Sequence, residues 1–404
     1  MSGPLNILFV ESGTTGGGSF ESLYQLLRTV DRSRVNPFVC FLNHTRYMEL
    51  VSKLGVPVFL LTDFVYSQNV PAAIRRKLER KVDKVFEKTP ALASLMITLG
   101  HGYLISRLSS IVQREKIDLI YCNDQINRDI FGCHVARRTG VPMISHLRSL
   151  DGKTFTGAKA EFANRWVDAY IANSNYVADY WTGQGAAKEK MHTVFNAVED
   201  TEVQPVDIRE ELGLPVEKRV IVSMGRLVAF KGHEFLLKSF AKLGLQREDV
   251  HLLLVGDGPE KNRLLNLIIS LGVEDQVNLL RYDSRGPSLI GGADLFVLSS
   301  NYEPFGRVVI EAMNVGVPVI ATGHGGVLDI IENEKNGLLV EYGDREGLAN
   351  AMERMLTDDS LRKSCVLSGY ETVATKFDLQ ARTRDIENII ENVVGAARPI
   401  RESA

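Results

Sequence analysis

The chain has 404 residues, of which 45% are hydrophobic and 24% are charged, a composition typical of a folded globular protein with two domains. Its formal net charge of -3 argues against nucleic acid as a partner, and its four cysteines form no C-x-x-C pair, which argues against a zinc site or a disulfide framework. We therefore expect reduced thiols and a cytoplasmic location.

The N-terminus predicts a strand and not a signal peptide, because the apolar run Asn6–Val10 has no basic leader and stops at Glu11. The longest apolar stretch, Ala91–Ile105, is interrupted at residues 100–102 and is too short to span a bilayer. Both features agree with the expected cytoplasmic location.

Short apolar runs alternate with amphipathic segments, a pattern that predicts parallel β-α units. The predicted strands of the first half are Asn6–Val10, Asn36–Leu42, Val56–Leu61, Leu119–Cys122, Met143–His146 and Ala169–Asn173. Those of the second half are Val220–Met224, Val250–Val255, Val277–Leu280, Leu295–Ser299, Val317–Ala321 and Gly337–Val340. We predict an α/β fold with two Rossmann-like, doubly wound parallel-sheet domains that face a central cleft.

The polar, turn-rich segment Val198–Pro215 separates the two series and marks the domain boundary. The N-terminal domain is predicted to span residues 1–196 and the C-terminal domain residues 197–378. Apolar residues recur at helical spacing from Leu379 to Val394, so a final helix of about residues 379–404 is expected to cover a surface of one domain. The N-terminal domain is one candidate for that surface.

The loop after the predicted strand Leu295–Ser299 carries the richest chemistry. Gly306 lets a ligand approach the backbone, and the helix that follows offers free amides to an anion. Glu303 and Glu311 lie eight residues apart, and a carboxylate can accept hydrogen bonds from the paired hydroxyls of a ribose or a sugar. Either glutamate alone also fits a purely structural role near a helix start.

Two further loops follow predicted strands of the second half. Gly225–Gly232 places Arg226 and Lys231 between two glycines, where both cations could reach one diphosphate. The turn that begins at Gly256 is a weak signal by itself. Either loop alone would more often be an ordinary turn.

Together these segments resemble the retaining glycosyltransferases of family four, which have the GT-B fold. Matching segments occur in the family's order: Gly-Arg-Leu-x3-Lys-Gly from Gly225, Val-Gly-Asp-Gly-Pro from Val255, the E-x7-E signature from Glu303 to Glu311, Gly-Val-Pro-Val-Ile-Ala-Thr from Gly316, Gly325-Gly326, and Asn-Gly-Leu-Leu-Val from Asn336. The first half matches more loosely, through the glycine loop Thr15–Ser19 and the strand end Ile144–His146. The resemblance covers nearly the whole chain.

The resemblance implies roles for the matching residues of the second half. Arg226 and Lys231 would hold the donor diphosphate, and Glu311 would accept the ribose hydroxyls. Glu303 would contact the transferred sugar. The main-chain amides expected to meet sugar and phosphate are those of Phe305, Gly306 and Arg307, and Gly256 is expected to line the same donor site.

In the first half, Gly17 and Gly18 would approach the phosphates or the acceptor, and His146 would lie near the reacting sugar. A hydrogen-bonded histidine at a strand end explains His146 equally well. With Glu303, Arg226 and Lys231, His146 completes the predicted catalytic set. Tyr282 departs from the family, because it stands where glycine is common and where the base is read.

Two fixed cations and a helix N-terminus can neutralise a departing nucleoside diphosphate without a metal. We therefore predict a retaining, metal-independent transferase with no cofactor, whose co-substrate is a nucleotide sugar. Alternatives are a non-catalytic sugar-nucleotide-binding subunit and a nucleotide-sugar epimerase of the same fold. A dinucleotide-dependent oxidoreductase fits poorly, since Asn43 and His44 stand where an acidic residue is required.

A UDP-sugar is the favoured donor, and a glycan, a lipid-linked molecule or a small molecule is the expected acceptor, in polysaccharide or glycoconjugate biosynthesis. The segment Ile74–Lys88 has seven basic and three acidic residues, with apolar residues at helical spacing. Such a helix suits peripheral contact with an anionic membrane at its inner face. The interpretation that we favour is a solvated helix covering the N-terminal sheet.

Overall fold

A computed structural model describes residues 3–13, 17–45, 47–61, 101–150, 155–200, 203–244 and 247–402, with side chains as far as residue 397. The basic segment Ile74–Lys88 lies outside the described residues, as do Thr15 and Gly16 of the glycine loop. The chain divides into two compact units, which we call unit 1 (Met1–Asn196 with Leu379–Ala404) and unit 2 (Ala197–Asp378).

Unit 1 contains a seven-stranded parallel sheet in the order β3-β2-β1-β4-β5-β6-β7. Its strands are β1 (Leu5–Glu11), β2 (Val35–Phe41), β3 (Val58–Leu60), β4 (Leu119–Cys122), β5 (Met143–Leu147), β6 (Ala169–Ala172) and β7 (Met191–Thr193). Its helices within the described part of the first half are α1 (Gly18–Thr29), α2 (Tyr47–Lys53), α3 (Gly102–Arg114), α4 (Ile126–Thr139), α5 (Gly157–Trp166) and α6 (Asn175–Gly183).

Unit 2 contains a six-stranded parallel sheet in the order β10-β9-β8-β11-β12-β13. Its strands are β8 (Arg219–Met224), β9 (Val250–Val255), β10 (Val277–Leu280), β11 (Leu295–Leu298), β12 (Val319–Thr322) and β13 (Leu338–Val340). Its described helices are α7 (Ile208–Leu212), α8 (His233–Gly244), α9 (Lys261–Leu271), α10 (Gly286–Gly291), α11 (Arg307–Asn314), α12 (Arg345–Thr357) and α13 (Asp359–Lys376).

Every strand predicted from the sequence overlaps an observed one, because strands covered on both faces are near-continuous apolar runs. One observed strand, β7, has no predicted counterpart, because the sequence interpretation missed it. Its residues Met191, His192 and Thr193 are half-buried or exposed, so this strand leaves no apolar run to detect.

The strand order reverses once in each sheet, between β1 and β4 in unit 1 and between β8 and β11 in unit 2. At such a switch point the two flanking loops leave the sheet in opposite directions and open a crevice at the carboxyl ends of the strands. The loops after β8 and β11 are the ones that carry Arg226, Lys231 and Glu303.

The last helix, α14 (Leu379–Glu402), packs on unit 1. Its buried residues Ile386, Ile390 and Val394 join an apolar cluster with β1, β2 and α1. Beside this cluster Arg34 pairs with Glu387 at 2.7 Å. The apolar residues at helical spacing thus lie on the packed face of α14, and β1, β2 and α1 supply the surface that it covers.

Two general expectations from the sequence can be compared with the structure. The four cysteines are buried and unpaired. Within the ranges that the structure describes, no helix has the length and apolar character needed to cross a membrane.

Candidate functional site

The loop after β8 is held by main-chain contacts with the loop after β9. The Leu227 amide donates to the Asp257 carbonyl at 2.9 Å, and the Glu260 amide donates to the Leu227 carbonyl at 3.0 Å. Gly256 lies so close that a Cβ there would stand 1.9 Å from the Gly225 carbonyl oxygen. Gly256 therefore serves this contact between loops, and any role beside a ligand would use its main chain.

The same loop ends at Gly232, where the backbone lies against the end of β11. Gly232 has a φ of +67°, and a Cβ at this position would stand 1.9 Å from the Ser299 carbonyl oxygen. The Asn301 amide donates to the Phe230 carbonyl at 2.7 Å, and the Ser299 hydroxyl donates to the Lys231 carbonyl at 3.2 Å. These contacts place the loops after β8 and β11 side by side.

Lys231 and Glu303 meet across the two loops. The lysine Nζ lies 2.6 Å from Glu303 Oε2, and the two side chains are 16% and 11% exposed. The Ser300 hydroxyl donates to the same carboxylate oxygen at 3.1 Å. A largely buried ion pair of this kind holds both groups in one place, because separating them would leave a buried charge unpaired.

Arg226 lies near the ring of Phe230, which belongs to an aromatic pair. Its guanidinium carbon is 5.9 Å from the centre of the Phe230 ring, and Lys231 Nζ is 5.8 Å from the same centre. Phe230 in turn stacks on Tyr302 with ring centres 5.0 Å apart. Cations are attracted to the faces of aromatic rings, so Phe230 orients both predicted diphosphate ligands. The sequence interpretation missed this aromatic pair, although Phe230 stands directly before Lys231.

The helix α11 begins at Arg307, and the residue before it, Gly306, has a φ of +101°, which is accessible to glycine and strained for other residues. No side-chain hydrogen bond caps this end of the helix, and the partial positive charge of a helix N-terminus attracts an anion. The Phe305 side chain is buried against Phe377, with ring centres 5.7 Å apart. Phe305 can therefore contact a ligand through its main chain, as the sequence predicts.

Glu311, the second glutamate of the E-x7-E segment, has its own cation. The Arg307 Nε donates to Glu311 Oε1 at 2.7 Å, one helical turn apart, and both side chains are largely buried. The backbone of Glu303 lies against the glycine pair Gly325-Gly326, and the Gly326 amide donates to the Glu303 carbonyl at 2.8 Å. A Cβ on Gly325 would stand 2.3 Å from that carbonyl oxygen, which explains the glycine there.

His146 of unit 1 is 1% exposed, and its Nδ1 is hydrogen-bonded to the Tyr121 hydroxyl. Burial, aided by the nearby Arg148 cation, holds the pKa of His146 well below its usual value, so the ring is neutral. This contact is what a hydrogen-bonded histidine at a strand end would make. The role of His146 beside a reacting sugar stays a prediction. Gly17 precedes α1 and Gly18 begins it, and a Cβ on Gly18 would meet open space.

Sequence reasoning also missed a histidine behind the donor loop. His233 is buried at the start of α8, and its Nε2 lies 3.3 Å from the Arg226 carbonyl oxygen. Burial lowers the pKa of His233 to about 4, so the neutral ring donates from Nε2. His233 therefore supports the main chain of Arg226. Sequence reasoning missed three further polar residues at the strand ends of unit 1: Glu11 at the end of β1, Asn123 after β4 and Arg148 after β5.

Comparison with known families assigns both halves of the chain. Residues 17–202 match the family described as Glycosyltransferase Family 4, and residues 206–372 match Glycosyl transferases group 1.

Individual relatives support this assignment. The chain is 33% identical over 219 residues to the lipopolysaccharide core biosynthesis glycosyltransferase LpsE of Rhizobium meliloti (strain 1021), over 54% of this chain and 63% of LpsE. The match to LpsD of the same organism, also 33% identical, spans 48% of this chain and 56% of LpsD. This chain is also 26% identical to the N-acetyl-alpha-D-glucosaminyl L-malate synthase of Bacillus anthracis, over 72% of its own length and 79% of that enzyme. The chain thus spans less than two thirds of LpsE and LpsD.

Solved structures show the fold. HepE from Anabaena, in complex with UDP-glucose, superposes with a TM-score of 0.79 at 23% identity, over 96% of this chain and all of HepE. The sucrose-phosphate synthase of Thermosynechococcus elongatus superposes with a TM-score of 0.75 at 20% identity, over 97% of this chain and all of the synthase. The predicted GT-B fold class is confirmed.

Replacement of Gly232 by alanine tests the close approach of the two loops. The added methyl would collide with the Ser299 carbonyl, so we expect Gly232→Ala to lower the free energy of unfolding by about 2 to 5 kcal/mol. Gly272 is a matched control, since it has the same φ of +67° but a Cβ there would meet nothing within 4 Å. Gly272→Ala should lose about 1 kcal/mol. Urea denaturation followed by circular dichroism measures both, and equal losses would contradict the packing argument.

Proposed function

The chain belongs to glycosyltransferase family 4, and we propose that it moves a sugar, with retention of anomeric configuration, from a nucleoside-diphosphate donor to a glycan, lipid-linked or small-molecule acceptor. The observation that carries this proposal is the Lys231–Glu303 pair beside the uncapped start of α11. A cation, a carboxylate and the positive end of a helix dipole then stand within one crevice, as the departure of a diphosphate from a sugar requires.

The two cations have different tasks in the proposed reaction. Arg226 is exposed and can present a planar fork to the diphosphate. Lys231 has three N–H donors, of which Glu303 takes one, so the ammonium can hold a phosphate oxygen while it keeps its ion pair. The main chain of Phe305, Gly306 and Arg307, at the start of α11, adds partial positive charge at the same place.

The carboxylates face the neutral parts of the donor. Glu311 accepts the ribose hydroxyls, and Glu303 contacts the transferred sugar, where positive charge develops at the anomeric carbon. The bond from that carbon to the diphosphate oxygen breaks, the acceptor oxygen bonds to the same face, and a phosphate oxygen takes the acceptor proton. His146, Gly17, Gly18 and Gly256 are assigned supporting contacts with the donor or acceptor.

A UDP-sugar is the donor that we propose, in the order UDP-glucose, UDP-N-acetylglucosamine, UDP-galactose, with GDP-mannose after them. The structural relative HepE was solved with UDP-glucose, which supports testing that donor first. The relatives LpsE and LpsD act in lipopolysaccharide core biosynthesis, which favours a polysaccharide or glycoconjugate pathway. Hydrolysis of UDP-glucose without acceptor would separate an enzyme from a binding subunit, which should show none.

Removal of Arg226 tests the diphosphate assignment. A charge-assisted hydrogen bond contributes roughly 1.5 to 3 kcal/mol, so Arg226→Ala should weaken UDP binding about 10- to 150-fold. Arg219 is the control, because it lies at the opposite end of β8 and pairs with Asp294 at 3.0 Å. Calorimetry with UDP should find Arg219→Ala unchanged. An Arg226→Ala protein with wild-type affinity would exclude the assignment.

The two glutamates should separate in kinetics. Glu311→Gln weakens hydrogen bonds to the ribose, so its affinity for UDP should fall roughly 10-fold. Glu303→Gln removes a negative charge beside the phosphates, so UDP should bind at least as tightly while turnover falls about 100-fold or more. Calorimetry and UDP-glucose hydrolysis by both variants measure the difference. The assigned roles are wrong if the two profiles coincide or if Glu303→Gln turns over normally.

Metal independence is a separate proposal. Arg226, Lys231 and the α11 amides can neutralise the leaving diphosphate, and within the described ranges no group of three or more His, Cys, Asp or Glu residues is arranged to hold a metal ion. UDP-glucose hydrolysis should therefore persist in excess EDTA. Loss of activity that magnesium or manganese restores would overturn this proposal, while loss that neither ion restores would point to an effect of the chelator itself.

A further inference from the structure

The carboxyl edge of the unit 1 sheet carries a buried polar network to which the proposed donor site assigns no role. Glu11 ends β1 and Asn123 follows β4, so the two residues flank the switch point of that sheet. Arg148 follows β5. Glu11 is 3% exposed and Arg148 is 7% exposed. Charges so deeply buried are expensive unless each has a partner.

Both oxygens of the Glu11 carboxylate have donors. Oε1 accepts from the Gly13 amide at 2.9 Å, and Oε2 accepts from Asn123 Nδ2 at 2.7 Å. The Asn123 Oδ1 in turn accepts from Arg148 Nε at 2.6 Å. The side-chain amide of Asn123 thus donates to the Glu11 carboxylate and accepts from the Arg148 guanidinium. One neutral side chain connects the two buried charges.

The relay extends to α1, the helix that begins beyond the glycine loop. Arg148 Nη1 donates to Asn196 Oδ1 at 2.9 Å, and that oxygen also accepts from the Ser22 hydroxyl of α1 at 3.2 Å. A Cβ on Gly13 would lie 2.6 Å from Glu11 Oε1, so the first contact of the relay favours glycine at this position. The network therefore connects the end of β1 with α1 through side chains that follow β4, β5 and β7.

The buried position of Glu11 favours its neutral form. Burial, followed by the Asp124 carboxylate, raises the pKa of Glu11 to about 7, although Asn123, Gly13 and Arg148 oppose the rise. The charge state of Glu11 should therefore change near neutral pH.

The neighbouring carboxylates on the α4 side are held separately. Asp124 pairs with Arg128 at 2.7 Å, and Asp129 accepts from the Ser12 hydroxyl at 2.8 Å. Burial, followed by the Asp124 carboxylate, raises the pKa of Asp129 well above its usual value, which favours its protonated form. The Tyr121 and His146 side chains, which also face Arg148, are neutral there because burial disfavours their charged forms. Within this cluster Glu11 is the carboxyl that accepts from Gly13 and Asn123, and its pKa of about 7 lies near neutrality.

We propose that Glu11 is a positioning residue for the transfer reaction, because its ionised carboxylate fixes the Gly13 backbone and, through Asn123, the Arg148 guanidinium. A proton on the carboxyl removes the negative charge that makes both oxygens strong acceptors, so the hydrogen bonds from Gly13 and Asn123 weaken. This role rests on the proposed function, and it makes the rate depend on the ionisation of a residue that touches no substrate.

The pH dependence of UDP-glucose hydrolysis by the full chain tests this role. The wild-type kcat/KM should rise as the pH increases through about 7. Glu11→Gln should be slow at every pH, at the level of the wild type at low pH, because glutamine resembles the protonated acid. Glu11→Asp should restore the rise in part. Glu49→Gln, which changes an exposed carboxylate of α2, should keep the wild-type profile. A wild-type profile in Glu11→Gln would overturn the proposal.

Thermal unfolding tests the titration without any turnover. The pKa of Glu11 is about 7 in the folded chain and 4.5 ordinarily, so the folded state binds the proton more tightly than the unfolded state. The proton therefore stabilises the folded state. This stabilisation is complete below pH 4.5 and is lost as the pH rises to about 7. The wild-type Tm should therefore fall relative to that of Glu11→Gln over this interval and stay level above it. A difference in Tm that does not vary with pH would overturn the proposal.

The two measurements keep this role apart from the proposed function. If the wild type hydrolyses no UDP-glucose at any pH, the transfer proposal and the positioning role both fall, while the Tm series still reports whether Glu11 titrates. If the wild type turns over and only Glu11→Gln loses the pH dependence, both proposals are supported.

Discussion

The approach of the Gly232 backbone to the end of β11 is the constraint on which the candidate site depends. With no Cβ at position 232, the loop after β8 can lie directly against the Ser299 carbonyl. Because that contact is made by main-chain atoms, it leaves little freedom in the separation of the two loops. Lys231 on one loop and Glu303 on the other are then close enough for an ion pair of 2.6 Å.

The charges of this site are balanced before a ligand arrives. Lys231 is paired with Glu303 and Arg307 with Glu311, and all four side chains are largely buried. A buried charge without a partner would cost several kcal/mol, so the pairs keep the polar groups in position. Groups that are already oriented need little rearrangement when charge develops on a substrate, which is the main electrostatic advantage of an enzyme site over water.

The two sheets follow one topological rule and carry different chemistry at their switch points. In unit 2 the loops beside the switch point present cations, a carboxylate and the start of a helix. In unit 1 they present Glu11 and Asn123, from which hydrogen bonds lead to Arg148. Since both sheets have parallel strands that end at one edge, the residues at the strand ends and in the loops after them decide what that edge can bind.

The sequence by itself determined the α/β class, most strands, the final amphipathic helix and the loops that carry Arg226, Lys231 and Glu303, because apolar runs, helical spacing and glycine positions are local properties. Only the tertiary structure decided which of these residues meet. Lys231 and Glu303 are 72 residues apart, and Glu11 and Asn123 are 112 apart. Their contacts depend on β8 lying beside β11 and on β1 lying beside β4, and strand order leaves no trace in local periodicity. The same holds for His146, whose hydrogen bond to Tyr121 arises because β4 and β5 are neighbours in the sheet.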